Sequence, residues 1–226
     1  MEKIQKNDFI QLEFTAKVND NIFDTNISED AEKAGLKEVK PFILSVGHSM
    51  IIPGLDKSLE GKEINKEYQE VFQPEHAFGK RNLQLIKMIP ERAFREQKII
   101  PQAGMQLNLD GRLAKIISAS GGRILVDFNN PLSGKKVEYK FKAVKKITDE
   151  NEKINALQDF FFSKRFDFIP GNPIIFNVEE KIKPFIELMS KPFKDILGKE
   201  VKVEEKKEEK HTTKPHKSLK IPSSKK

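Results

Sequence analysis

Pro41-Phe42-Ile43-Leu44-Ser45-Val46-Gly47-His48-Ser49-Met50-Ile51-Ile52-Pro53-Gly54-Leu55-Asp56-Lys57-Ser58-Leu59-Glu60-Gly61 carries the two local signals on which the reading of this chain turns. The segment Pro41 to Gly47 is a short apolar run that ends at a glycine, and it reads as a strand. From Pro53 the pattern changes. A proline near the start, a glycine at 61 just past the end, and Leu55 and Leu59 on one face at i and i+4 spell a short helix with a single apolar stripe.

Working outward, Ile10, Leu12, Phe14, Ala16 and Val18 alternate with Gln11, Glu13, Thr15 and Lys17. That period of two predicts a strand with one buried face. Asn19-Asp20-Asn21 supplies turn chemistry before Ile22 and Phe23, so a hairpin is expected. The polar stretch Asn26 to Lys40 reads as a surface excursion with one helical turn around Ala31 to Ala34. Tyr68 to Phe72 is a further strand, ended by Pro74. Residues 84–130 have their own signals: strands at Leu85–Ile89, Met105–Leu109, Leu113–Ile117 and Ile124–Phe128, with turns at Asp110-Gly111 and Gly121-Gly122. Beyond them Val137, Tyr139, Phe141 and Ala143 resume the half-buried alternation. One domain is therefore interrupted by another and then completed.

Residues 148–197 read differently. Ile154, Leu157, Phe160 and Phe161 fall at helical spacing, Pro170-Gly171-Asn172-Pro173 forms a turn, Ile174–Val178 reads as a strand, and Phe185 to Leu197 as a second amphipathic stripe kinked at Pro192. Two such helices and one strand make a thin core, which predicts docking on the rest of the chain or a homodimer through this region. The overall charge is +7, but Gly198–Lys226 holds ten lysines and five glutamates, a local +5 that leaves only +2 for residues 1–197. That tail lacks aromatics and is rich in Lys, Glu, Ser and Pro, so it is expected to be disordered. It is a solubilising tail or a weak contact for RNA or the ribosome.

The absence of cysteine excludes disulfides, thiolate metal sites and a cysteine nucleophile. The four histidines, His48, His76, His211 and His216, have no metal-ligand spacing, and no phosphate-binding loop or nucleophile elbow is present. A polar start and the lack of an apolar run of about 18 residues predict a protein of the cytoplasm with no membrane partner.

What remains is an apolar set punctuated by one acid, and its order is informative. Phe23-Asp24-Thr25, then Gly47 with Ile51-Ile52-Pro53-Gly54-Leu55, Leu59 and Gly61, then Pro74-Glu75-His76-Ala77-Phe78-Gly79 resemble the successive signatures of FKBP-type peptidyl-prolyl cis/trans isomerases. The likeness stops near Arg81 and resumes at Asn130-Pro131-Leu132-Ser133-Gly134-Lys135, similar to the return segment of the SlyD-like subgroup, so residues 84–130 occupy the place of an insert-in-flap domain. The resemblance covers about residues 4–148, and residues 148–197 correspond in position to the extra C-terminal domain of long archaeal members.

It implies an α+β fold in which residues 1–83 and 131–147 form an antiparallel sheet on a short helix. A β-rich insert at 84–130, an α+β domain at 148–197 and the basic tail at 198–226 complete the chain. It also implies a rotamase without cofactor or metal, acting on unfolded or proline-containing polypeptides and assisting their folding. Carried over by position, the pocket comprises Phe14, Phe23, Asp24, Phe42, Ile51, Ile52, Leu55, Phe78 and Tyr139. Phe14 and Phe78 stand where the family usually has tyrosines, which removes two hydroxyls. In the insert, Ile86, Met88, Ile89, Phe94, Ile99, Ile100, Met105 and Leu107 are the expected chaperone-like surface for unfolded chains, two methionines among them.

Two other readings stay open on the residues themselves. The aromatic set is also what a sheet packed on one helix needs for its core, with Asp24 bonding nearby backbone in a turn, and the insert residues are also what a small core needs. A non-catalytic holdase with a degenerate pocket would use the same residues without turnover.

Overall fold

The computed structural model describes residues 2–36 and 39–205. These form two compact units that divide at Arg165/Phe166. In the first, strands β1 (Phe9–Val18), β2 (Asn21–Thr25), β3 (Phe42–Ser45), β4 (Glu67–Phe72) and, far along the chain, β9 (Val137–Lys146) make one antiparallel sheet. Helix α1 (Ser28–Ala34) follows β2, and α2 (Pro53–Leu59) follows β3. The alternation of β1 is realised: Ile10, Leu12, Phe14, Ala16 and Val18 are all buried. Thr15 is buried as well, because it binds Asp30 of α1 through its hydroxyl. Leu55 and Leu59 are fully buried on the inner face of α2.

β9 runs along one edge of β1 from Ile10 to Lys17. The other edge is shared, with β3 pairing Phe9 to Leu12 and β2 pairing Thr15 to Val18. Asn26 closes the gap between the two short strands. Its side chain accepts from the Phe14 N–H at 2.8 Å and donates to Leu12 O at 2.7 Å, and its own N–H donates to Phe14 O at 3.2 Å.

Between β4 and β9 lies the insert, with β5 (Ile86–Pro90), α3 (Glu91–Glu96), β6 (Gln106–Leu109), β7 (Arg112–Ser120) and β8 (Arg123–Asp127). Its sheet has the order β5-β8-β7-β6, every neighbour antiparallel. Both hairpins turn on the predicted pairs: Asp110 and Gly111, and Gly121 and Gly122, all adopt positive φ, the two-residue geometry that matches strand twist. Phe94, Ala114, Ile116, Ile124 and Val126 form a core separate from that of the main sheet. α3 carries two i,i+4 ion pairs, Glu91 with Arg95 and Arg92 with Glu96.

The chain enters and leaves the insert side by side. The Asn82 N–H donates to Asn129 Oδ1 at 2.8 Å, Asn129 Nδ2 donates to Asn82 O at 2.9 Å, and Arg81 pairs with Asp127 at 2.6 Å. Nearer the main sheet, the Gly134 N–H donates to Gly79 O at 2.8 Å.

Helix α4 (Glu150–Phe162) departs from expectation. It groups with the first unit and not with a domain beginning at 148. Its apolar face, Ile154 and Leu157, is fully buried, it runs beside β3, and Lys153 lies over the Phe9 ring at 5.6 Å.

The second unit has a sheet of order β10-β11-β12, from β10 (Asp167–Ile169), β11 (Ile174–Val178) and β12 (Val201–Glu205), with α5 (Lys183–Leu188) and α6 (Ser190–Leu197) between the last two strands. β12 pairs with β11 in parallel. Val201 to Glu205, assigned by composition to a disordered tail, is thus a strand, while residues 206–226 of that tail lie outside the described residues. The break between the helices falls at Met189 and not at Pro192, which is tolerated within the first turn of α6. Phe176 of β11 and Phe193 of α6 meet edge to face at 5.6 Å in the core. No described helix is long and apolar enough to cross a membrane.

Candidate functional site

Six stretches of chain converge on a cavity of about 430 Å³ at the face of the main sheet. β1 supplies Phe14, β9 supplies Tyr139, β2 supplies Asp24, the first residue of β3 is Phe42, and the segment leading into α2 gives Ile51 and Ile52. Phe78 comes from the turn after β4. Tyr139 lies opposite Ala16 in the β1–β9 register, so its ring meets a methyl and has room to tilt into the cavity. On β2 the register slips between Asp24, opposite Ala16, and Ile22, opposite Lys17, leaving Phe23 as the extra residue of a bulge. A bulge re-aims side chains.

Of the nine pocket residues expected from sequence, Phe14, Asp24, Phe42, Ile51, Ile52, Phe78 and Tyr139 line the cavity. Phe23 stands behind it, edge to face with Phe78 at 5.7 Å and with Tyr139 at 6.3 Å. Leu55 is fully buried on α2 and does not reach the cavity. Thr25, Asn26, Val39, Lys40 and Met50 line it without having been anticipated. Thr25 and Asn26 directly follow Asp24, so the signal was there: a polar pair at the end of a short strand.

The walls are held from behind. Tyr139 sits in a ring of aromatics, 5.8 Å from Phe14 and 6.1 Å from Phe72, and Phe14 meets Phe42 edge to face at 5.8 Å. Such contacts are favourable beyond the area they bury. Ahead of α2, the buried Asp56 accepts from the Gly47 N–H and the Ser49 N–H, each at 2.8 Å, which fixes the loop that delivers Ile51 and Ile52. Gly54 leaves no room for a side chain: a Cβ there would stand 2.5 Å from Phe72 and 2.8 Å from His76 O.

Two of the titratable groups that line the cavity are shifted by it. Burial pushes the Asp24 carboxyl above the usual aspartate range, and a hydrogen bond from the Thr25 N–H pulls the other way. Solvent still reaches Asp24 at the rim. Burial, and secondarily the charge of Asp24, push the Tyr139 hydroxyl upward, so it stays protonated and able to donate. Among the described residues no three His, Asp or Glu side chains are grouped as a metal would require. An aromatic cavity with one carboxyl at its rim can hold an apolar ring and reshape the field around it.

The insert residues divide. Phe94 is core, and Ile89, Ile99, Met105 and Leu107 pack half-buried against that core. Met88 is 62 % exposed and Ile100 78 %. Met88 lies opposite Leu125, and Ile86 opposite Asp127, in the β5–β8 register. Strand alternation places Ile86, Met88 and Leu125 on the face opposite to buried Ile124 and Val126. Leu113, exposed next to buried Ala114 on β7, turns to the same open face.

The model of the FKBP-type peptidyl-prolyl cis-trans isomerases matches residues 1–95, and the model described as FKBP26, IF domain matches residues 87–132. A short-type peptidyl-prolyl cis-trans isomerase of Methanocaldococcus jannaschii is 30% identical over 143 residues, which cover 62% of this chain and 91% of the relative. An FKBP-type 16 kDa peptidyl-prolyl cis-trans isomerase of Escherichia coli is 27% identical over 143 residues, 61% of this chain and 90% of the relative. SlyD of Haemophilus influenzae, an isomerase of the same type, is 23% identical over 146 residues, covering 63% and 72%. With its sheet, its cavity and its insert in that order, the chain belongs to the FKBP-type peptidyl-prolyl cis-trans isomerases, in their SlyD-like form with an insert-in-flap domain.

Proposed function

We propose that the Phe14–Phe42–Tyr139 cavity is where this isomerase turns the prolyl bond, and that the open face of the insert sheet captures unfolded polypeptide and feeds it to that cavity. The observation that carries this reading is the joining, in one unit, of an aromatic cavity of about 430 Å³ with a sheet whose outer face shows Met88 and Leu113 to solvent. Rotation about a peptide bond is opposed by about 18–20 kcal/mol of amide resonance, and no bond need break. The twisted amide is less charge-separated than the planar one. Walls that exclude water therefore favour it over the ground state, which is catalysis by differential binding. A 10⁴-fold acceleration requires only about 5.5 kcal/mol. The Ile52 N–H, ahead of the first turn of α2, has no intrahelical acceptor and is placed to hold a substrate carbonyl.

The test is refolding of a proline-limited, disulfide-free protein with catalytic amounts of the full chain, beside Asp24→Ala and a Met88→Lys/Leu113→Lys double variant. Acceleration that falls in both variants, with a short prolyl peptide still turned over by the double variant, is the expected result. Phe14 and Phe78, which bring no hydroxyl to the cavity, favour a second reading, a holdase without turnover. Suppressed aggregation with no acceleration of the slow phase establishes that one in its place.

A further inference from the structure

A second concavity lies beside the cavity, between β3 and α4. It measures about 880 Å³, with Phe42 and Ile43 on one wall and Asn155, Ala156, Asp159 and Phe160 on the other. Phe42 and Lys40 line both it and the aromatic cavity, so the two adjoin at the start of β3.

The wall formed by β3 is a strand edge with a definite polarity. β3 pairs only with β1 among the described strands. On that side the Val46 N–H donates to Asp8 O at 2.9 Å, whereas the Ser45 N–H donates to Met50 Sδ at 3.2 Å. Main-chain groups alternate sides along a strand, so the Ile43 N–H and C=O point with those of Ser45, away from β1. An edge of this kind is a template for an added extended chain. Across from it, Phe160 is 41% exposed and offers an aromatic face, and Asp159 is held by two hydrogen bonds from Arg165, at 2.9 and 2.7 Å.

We infer that this groove is a substrate subsite: the residues next to the substrate proline lie in it extended, with main chain bonded to Ile43 and an apolar side chain against Phe160. The inference rests on the isomerase reading of the cavity. The reach can be stated. Glu152 to Phe160 spans about 12 Å of helix, the length of three or four extended residues. A tetrapeptide that fills the cavity therefore cannot also occupy the groove, whereas a longer chain can.

The experiment uses the full chain and a tetrapeptide containing one proline, beside versions lengthened by four mostly apolar residues on the amino or the carboxyl side. For each, kcat/KM and Kd are measured with the wild type, Phe160→Ala and Asn155→Arg. In one of the two series lengthening raises kcat/KM and tightens binding about tenfold, and both variants remove that gain while tetrapeptide turnover is unchanged. A gain on neither side, or one that survives both variants, overturns the subsite. If the wild type does not turn over the tetrapeptide, the isomerase reading fails, and the length dependence of Kd still decides the groove. Peptide-independent self-association lost on Phe160→Ala would assign the groove to a second copy of the chain, and also overturns it.

Discussion

The main-sheet cavity and the open face of the insert are built from the same kinds of residue in opposite arrangements. In the cavity, Phe14, Phe42 and Tyr139 are braced by one another, by Phe72 and by the loop that Asp56 ties down. Little can move, and the space left is concave. On the insert, Met88 and Leu113 stand on an uncovered sheet face over a core of five buried residues. A braced hollow selects shape, and an exposed apolar face selects only hydrophobicity. The contrast is what the proposed division requires, in which one region would accept many sequences and the other act on one kind of bond.

The sharpest way to break this comparison is to remove the insert core alone. Phe94→Ala should cost the insert about 3–5 kcal/mol, enough to unfold so small a core. Hydrogen exchange should then lose protection in β7 and β8 but keep it in β1 and β9, with tetrapeptide turnover within twofold of wild type. Loss of protection in all four strands would show that the two regions share one stability.

Next in size, Gly54→Ala forces a methyl into Phe72 and the His76 carbonyl. We expect a loss of about 1–3 kcal/mol in urea unfolding, together with a fall in prolyl turnover, and no change in the insert. Asn26→Ala should cost about 1–2 kcal/mol, since it removes two hydrogen bonds that join the halves of the split edge. The measurement is the same, and hydrogen exchange at the Phe14 amide reports the site.

The smallest effect is electrostatic. Because the Asp24 carboxyl is pushed upward by burial, its ionisation opposes folding, and that penalty grows as pH rises through its folded pKa. Asp24→Asn should therefore match wild type in stability near about pH 3 and exceed it slightly at neutrality, while turnover falls. Solvent at the rim keeps the difference small. A variant less stable than wild type at neutrality would show the carboxylate to be a stabilising acceptor instead.

Much of this was legible in the chain. The alternation from Ile10 to Val18 and the Pro53–Gly61 helix are strong local signals, and the ordered motifs placed seven cavity residues. What escaped has physical reasons. Asn26, Lys40 and Met50 reach the cavity from loops, where no period constrains them. β12 does alternate, with Val201 and Val203 between charged residues, but the Lys- and Glu-rich surroundings hid a strand that needs β11 to form. The helical spacing of α4 was evident, whereas its partner was not, since an apolar stripe does not name the surface it covers.

The paired Asn82–Asn129 hydrogen bonds at the root of the insert have a kinetic consequence. β9 must find β4 across the whole interval from Phe72 to Val137, a distant meeting that slows folding. An insert that folds first pins Asn82 beside Asn129 and excises itself from that interval, shortening the effective loop severalfold and recovering about 1 kcal/mol of closure entropy. The insert is then a scaffold for assembling its own host, and weakening its root should slow refolding of the main sheet more than it hastens unfolding.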